Sequence, residues 1–131
     1  MIPATLTPGY CAWGRKSETP LKLSSLNEYE LANALRLAEF RKAIVPGGAA
    51  IFWSQFEADI AGGLLIVEVC NLAEVIGEGM RLSATHTISG GNRAFDILHV
   101  VAALRMGADE FLTFDERQKA FATKEGLRVP L

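Results

Sequence analysis

Apolar positions come in two rhythms along this chain. Leu31, Ala34, Leu35, Ala38 and Ile44 recur at helical spacing with charges on the other face, which predicts a helix over 27–44. Pro46-Gly47-Gly48 ends it, and Ile51, Phe52, Phe56 and Ile60 mark a second helix over 49–61, stopped by Gly62-Gly63. Leu64 to Val69 is a short apolar run with β-branched residues, the pattern of a buried strand. Leu21-Lys22-Leu23-Ser24 alternates after Pro20 and predicts another short strand. Ser24 or Ser25 can cap the helix that follows, and Glu28 stands three residues after Ser25, the spacing of a capping box.

Downstream, residues 71–84 predict a helix weakened by Gly77 and Gly79, and Gly90-Gly91-Asn92 a loop. A helix over 93–106 is closed by Gly107, a strand follows over 110–114, a helix over 116–125 is closed by Gly126, and 127–131 forms a last short strand. Residues 1–20, rich in Pro, Gly and Thr, read as irregular. The order is strand, paired helices, strand, paired helices, strand, helix, strand. It predicts a single α/β domain over 1–131, with a mostly parallel central sheet flanked by helices. Ligands of such sheets bind outside the carboxyl ends of the strands.

Composition adds limits. Half of the 131 residues are hydrophobic, enough for a core, and the net charge of −2 excludes a global basic field. A nucleic-acid partner would need a local basic patch. Arg36, Arg41 and Lys42 on one helix, with Arg117 and Lys119 on another, can supply one, although basic residues on helix faces are usually just solvated. Cys11 and Cys70 make neither a disulfide framework nor a zinc site and read as thiols of a reducing compartment. The start has no signal-peptide pattern and no stretch is long enough for a membrane span, so a cytoplasmic protein is expected.

The segment 93–115 holds the chemistry. It places Asp96 inside a helix, among Leu98, Val100, Val101 and Leu104, and Asp115 at the end of a strand. A carboxylate on a core-leaning face requires a cation or donors. With Glu30 near the start of its helix, three acids can meet at one edge of a parallel sheet, and oxygen-only ligation favours Mg²⁺ or Mn²⁺. Two of the acids have a plainer reading: Glu30 as a solvated helix residue, Asp115 as the N-cap of the last helix. Arg93, one turn before Asp96, can pair with it or with a phosphate. His99 can orient Asp96 or contact substrate, but a packed, hydrogen-bonded histidine is favoured; His86 falls in a loop. Trp13, Trp53 and Phe56 can stack on bases, with packing the stronger expectation for the latter two.

The stretches RAFDILHVVAAL (93–104), FLTFDERQ (111–118), GLRV (126–129) and LSSLNEYELANALR (23–36) together resemble PIN-domain nucleases, the group that includes VapC-type toxins of toxin–antitoxin pairs. The resemblance covers roughly residues 20 to 131. It implies a PIN-like three-layer fold. It also implies Mg²⁺ or Mn²⁺ held by Glu30, Asp96 and Asp115 with Thr113 in support, and hydrolysis of RNA phosphodiester bonds. The partners it implies are RNA, a cognate antitoxin and a second copy in a homodimer. The helix pair within 31–61 is a candidate docking surface.

The chain departs from that family in one respect. Family members open with an apolar strand that ends in an aspartate, whereas here no aspartate precedes Asp59. The N-terminal strand is expected to be missing or replaced, through a mis-assigned start, a truncation or gene decay. The alternative function is therefore an inactive remnant that only binds an antitoxin or its own kind. An aspartate-based phosphotransfer domain with Asp115 as acceptor ranks last.

Overall fold

The computed structural model describes residues 19–130; the irregular segment expected over 1–20, with Cys11 and Trp13, falls outside them except for Thr19 and Pro20. The chain divides into two compact units, Met1–Glu68 and Val69–Leu131. The architecture is α/β and mostly helical, with one two-stranded parallel sheet among the described residues.

In the first unit, strand β1 (Leu21–Ser24) leads into helix α1 (Ser25–Phe40), helix α2 (Gly48–Ala61) and strand β2 (Leu65–Glu68). The strands pair in parallel, with Leu21 opposite Leu65 and Ser24 opposite Glu68. Parallel pairing requires a crossover, and the two helices provide it. Leu31, Phe56 and Leu65 form the buried centre, and Leu21, Leu23, Leu35, Trp53, Ile60 and Val67 pack against it. Trp53 and Phe56 are thus core residues, their ring centroids 4.8 Å apart.

The capping box is present one residue earlier than the Ser25–Glu28 spacing predicts. Ser24 caps α1: its Oγ accepts from the Asn27 amide at 3.2 Å, and the Asn27 Oδ1 accepts from the Ser24 amide at 2.9 Å. Ser24 is fully buried as the last residue of β1, so the cap also satisfies polar atoms shut off from water. Helix α1 stops at Phe40, short of the predicted 44, because Lys42 takes a left-handed conformation with φ of 60°. Glu39 Oε1 then accepts the Ala49 amide at 3.0 Å and caps α2, whose own N-cap, Gly47, has no side chain to do so.

In the second unit, helices α3 (Leu72–Gly90), α4 (Ala94–Arg105) and α5 (Glu116–Lys124) pack around Val75, Leu82, Ile97, Val100, Val101, Phe121 and Ala122. Helix α3 runs six residues past the predicted end at 84. Gly79 is buried inside it, and a Cβ there would stand 2.9 Å from Leu98 Cδ2, so this glycine lets α4 approach closely. The extra turns carry His86, expected in a loop. Its Nε2 lies 3.0 Å from Glu125 Oε2, and its ring meets Phe121 edge-on, tying α3 to the end of α5.

The strands expected over 110–114 and 127–131 are corrected to a single parallel bridge, Glu110 with Arg128. Phe111 N donates to Arg128 O at 2.8 Å and Arg128 N to Asp109 O at 3.0 Å. Beyond that point the backbone bonds to side chains: Asp115 N donates to Thr113 Oγ1 at 3.1 Å, which turns the chain into α5 instead of extending a ladder.

Gly77 offers a direct check on α3. It is exposed, and a Cβ there meets nothing within 4 Å. Gly77→Ala should therefore stabilise the protein by about 0.5–1 kcal/mol in urea denaturation. A loss of stability would show that the helix is interrupted there.

A candidate acidic site at two helix starts

The site is built from three local decisions of the chain. Gly91 ends α3 in a left-handed conformation, with φ of 63°, and Arg93 follows in extended backbone at the N-cap position of α4. Asp96 then falls in the first turn of α4, where a negative charge suits the exposed amides and helix dipole. Asp115 is the N-cap of α5: its Oδ1 accepts from Arg117 N at 2.9 Å and Gln118 N at 3.0 Å. The N-cap role open to Asp115 from the sequence is therefore filled, and it leaves Oδ2 for another partner.

That partner is Arg93. Its Nε donates to Asp96 Oδ2 at 3.0 Å and its Nη2 to Asp115 Oδ2 at 2.9 Å. One guanidinium, in its fixed fork geometry, joins two carboxylates 19 residues apart in sequence. The side chains of both aspartates are 19 % exposed, and that of Arg93 is 65 % exposed. The cation that the sequence requires beside Asp96 is thus supplied within the protein.

The floor beneath this pair is polar and buried. Thr113 Oγ1 donates to Gln118 Oε1 at 2.6 Å while accepting from the Asp115 amide. Gln118 Nε2 reaches the Asp96 carbonyl at 3.5 Å. Gln118 is the site residue that sequence reasoning missed. It sits inside FLTFDERQ without a chemical role of its own. A polar residue three positions after an N-cap aspartate, on the inward side of a short helix, was the available signal.

Among the residues expected at the site, Asp96, Asp115, Arg93 and Thr113 come together in the second unit. His99 lies on α4 and is 4 % exposed, the packed position expected of it. Glu30 is on α1 in the first unit and is half-buried there. Among the described residues, no group of three or more His, Cys, Asp or Glu side chains is gathered as metal ligands. The two aspartates suit a divalent ion by donor chemistry, since they place hard carboxylate oxygens around one cationic position. A groove of about 210 Å³ lies beside the site, lined by His86, Asn92, Arg117, Phe121 and Lys124 among others.

The electrostatics follow from these contacts. The Gln118 amide, then the Arg117 amide and the Arg93 and Arg117 charges, hold the Asp115 carboxyl below its ordinary range, against the opposing effect of partial burial. The Asp96 and Asp115 carboxylates raise the Arg93 guanidinium further above its already high value.

No family model matches the chain, and comparison with curated proteins and with solved structures finds no significant similarity. No helix among the described residues is long and apolar enough to cross a membrane.

The lowered Asp115 value sets a pH dependence. Its contribution to stability is complete above the unfolded-state value near 4 and is lost as pH falls through the lower folded value. Asp115→Asn should keep much of the cap but flatten the stability profile on the acid side, measured by urea denaturation between about pH 2 and 6. Asp115→Ala should cost about 1 kcal/mol at neutral pH through loss of the cap.

Proposed function

We propose that this chain is a PIN-like, metal-dependent ribonuclease module, with Asp96 and Asp115 as the carboxylates that hold Mg²⁺ or Mn²⁺. The observation that carries this reading is the convergence of both Oδ2 atoms on one cationic position at two helix starts. A divalent ion bound there would polarise a phosphodiester and lower the pKa of a bound water. Thr113 and Gln118 fix the orientation of Asp115, and Gln118 also contacts the α4 backbone at Asp96. The exposed Arg117, at the start of α5, stands where it can meet a phosphate. Glu30 belongs to the first unit, and the reading rests on Asp96 and Asp115.

The finer parts of the proposal come from the resemblance of 93–104 and 111–118 to PIN-domain nucleases. They are a three-layer fold, a toxin role with an antitoxin partner, and a homodimer. A second reading is favoured by Arg93: a module that has kept the fold and lost the reaction, with the two carboxylates neutralised internally and only binding retained.

Asp96→Asn preserves shape and removes one negative charge. RNA cleavage supported by Mg²⁺ or Mn²⁺ should disappear in this variant while circular dichroism and the melting temperature stay close to those of the parent. Cleavage that persists in EDTA, or in Asp96→Asn, would overturn the nuclease reading. Calorimetry without Mn²⁺ binding, together with retained binding to a partner, would select the binding module.

A further inference from the structure

Metal and arginine compete for the same atoms at this site. An ionised carboxylate oxygen offers about two lone pairs. Asp115 Oδ1 uses both on the Arg117 and Gln118 amides, bonds that also start α5. The oxygen left for a metal ion is Oδ2, and it is the one that accepts from Arg93 Nη2. On the other side, Arg93 Nε donates to Asp96 Oδ2, so the guanidinium lies against one oxygen of each carboxylate. A Mg²⁺ ion binds carboxylate oxygen at roughly 2.0–2.1 Å, and a guanidinium hydrogen-bonded to the same two oxygens would face it at close range with like charge.

Resting on the metal reading above, we infer that Arg93 is a built-in competitor of the divalent ion. It closes the acidic pair when metal is scarce and swings out to admit it. The side chain can do this cheaply, because at 65 % exposure its head is already largely hydrated, and exposed ion pairs are weak. The pair is therefore not left as two bare, repelling carboxylates in the metal-free protein. Admission of the ion needs rotation of one surface side chain, with no rearrangement of the buried Thr113–Gln118 floor. Arg93 thereby sets the metal concentration at which the site fills, and a free Arg93 beside the loaded site is available to a phosphate.

The test is Mn²⁺ affinity, read by electron paramagnetic resonance of free Mn²⁺ on the full chain, without RNA. Arg93→Gln should tighten Mn²⁺ binding by roughly three- to tenfold, the scale of losing two exposed ion pairs. Arg93→Lys, which keeps the charge and loses the fork, should fall between the two. Arg117→Gln removes a nearby charge that does not sit on Oδ2 and should change affinity less than Arg93→Gln does. On Mg²⁺ titration the Arg93 Nε–H resonance of the parent should move to the position of a free guanidinium.

If the parent binds Mn²⁺ and Arg93→Gln binds it equally or more weakly, the competition is wrong and the metal reading stands. An effect of Arg117→Gln as large as that of Arg93→Gln would also overturn the competition, leaving only general electrostatics. If neither the parent nor Arg93→Gln binds Mn²⁺, both the metal reading and the competition fail. Melting curves in EDTA confirm that the variants are folded.

Discussion

The shared hydrogen bonding of Asp96 and Asp115 to Arg93 is the interaction on which the second unit's candidate chemistry depends. Both carboxylates lie at helix starts, Asp96 in the first turn of α4 and Asp115 at the cap of α5. Each is favourable to its own helix, through the dipole in one case and two amide hydrogen bonds in the other. Brought together without a cation, two carboxylates repel. The guanidinium offsets this repulsion by donating to both carboxylates, and it does so from the surface, where it can be replaced.

The rest of the unit fixes the positions that Arg93 joins. Gly79 permits α4 to lie close against α3, and the His86–Glu125 contact ties the far end of α3 to the end of α5. The Glu110–Arg128 bridge anchors the segment leading to Thr113, and the Thr113 hydroxyl ends the extended stretch by taking the Asp115 amide. Gln118 then spans from that hydroxyl to the α4 backbone. The acidic pair thus stands on a buried, hydrogen-bonded base, and its exposed member is the arginine.

Much of this was legible in the chain. Among the described residues, helical periodicity located all five helices, and Leu21–Ser24 and Leu64–Val69 marked the two strands. Asp115 was recognisable as a cap and Arg93 as a partner of Asp96, because both relations are local in sequence. What was not legible depends on long-range pairing. Phe111 to Phe114 has strand composition, but a strand needs a neighbour along its length, and Arg128 supplies one bridge. The extent of α3 was hidden because its last turns, SATHTIS, are polar and carry two central threonines. Within these turns Thr85 Oγ1 bonds back to Arg81 O, and Thr87 Oγ1 to Ser83 Oγ. The second arm of Arg93, to Asp115, and the bond of Gln118 to Asp96 each cross 22 residues, beyond any local pattern.

The central claim is that one guanidinium couples two carboxylates, and a double-mutant cycle measures that most directly. Unfolding free energies in urea would be compared for the parent, Arg93→Ala, Asp115→Asn and the double variant at neutral pH, with and without 1 M salt. The account predicts that the double variant is less destabilised than the sum of the single ones, with the difference shrinking in salt. Additive effects at low salt would contradict it, because Arg93 and Asp115 would then contribute independently and the pair would have no shared cation.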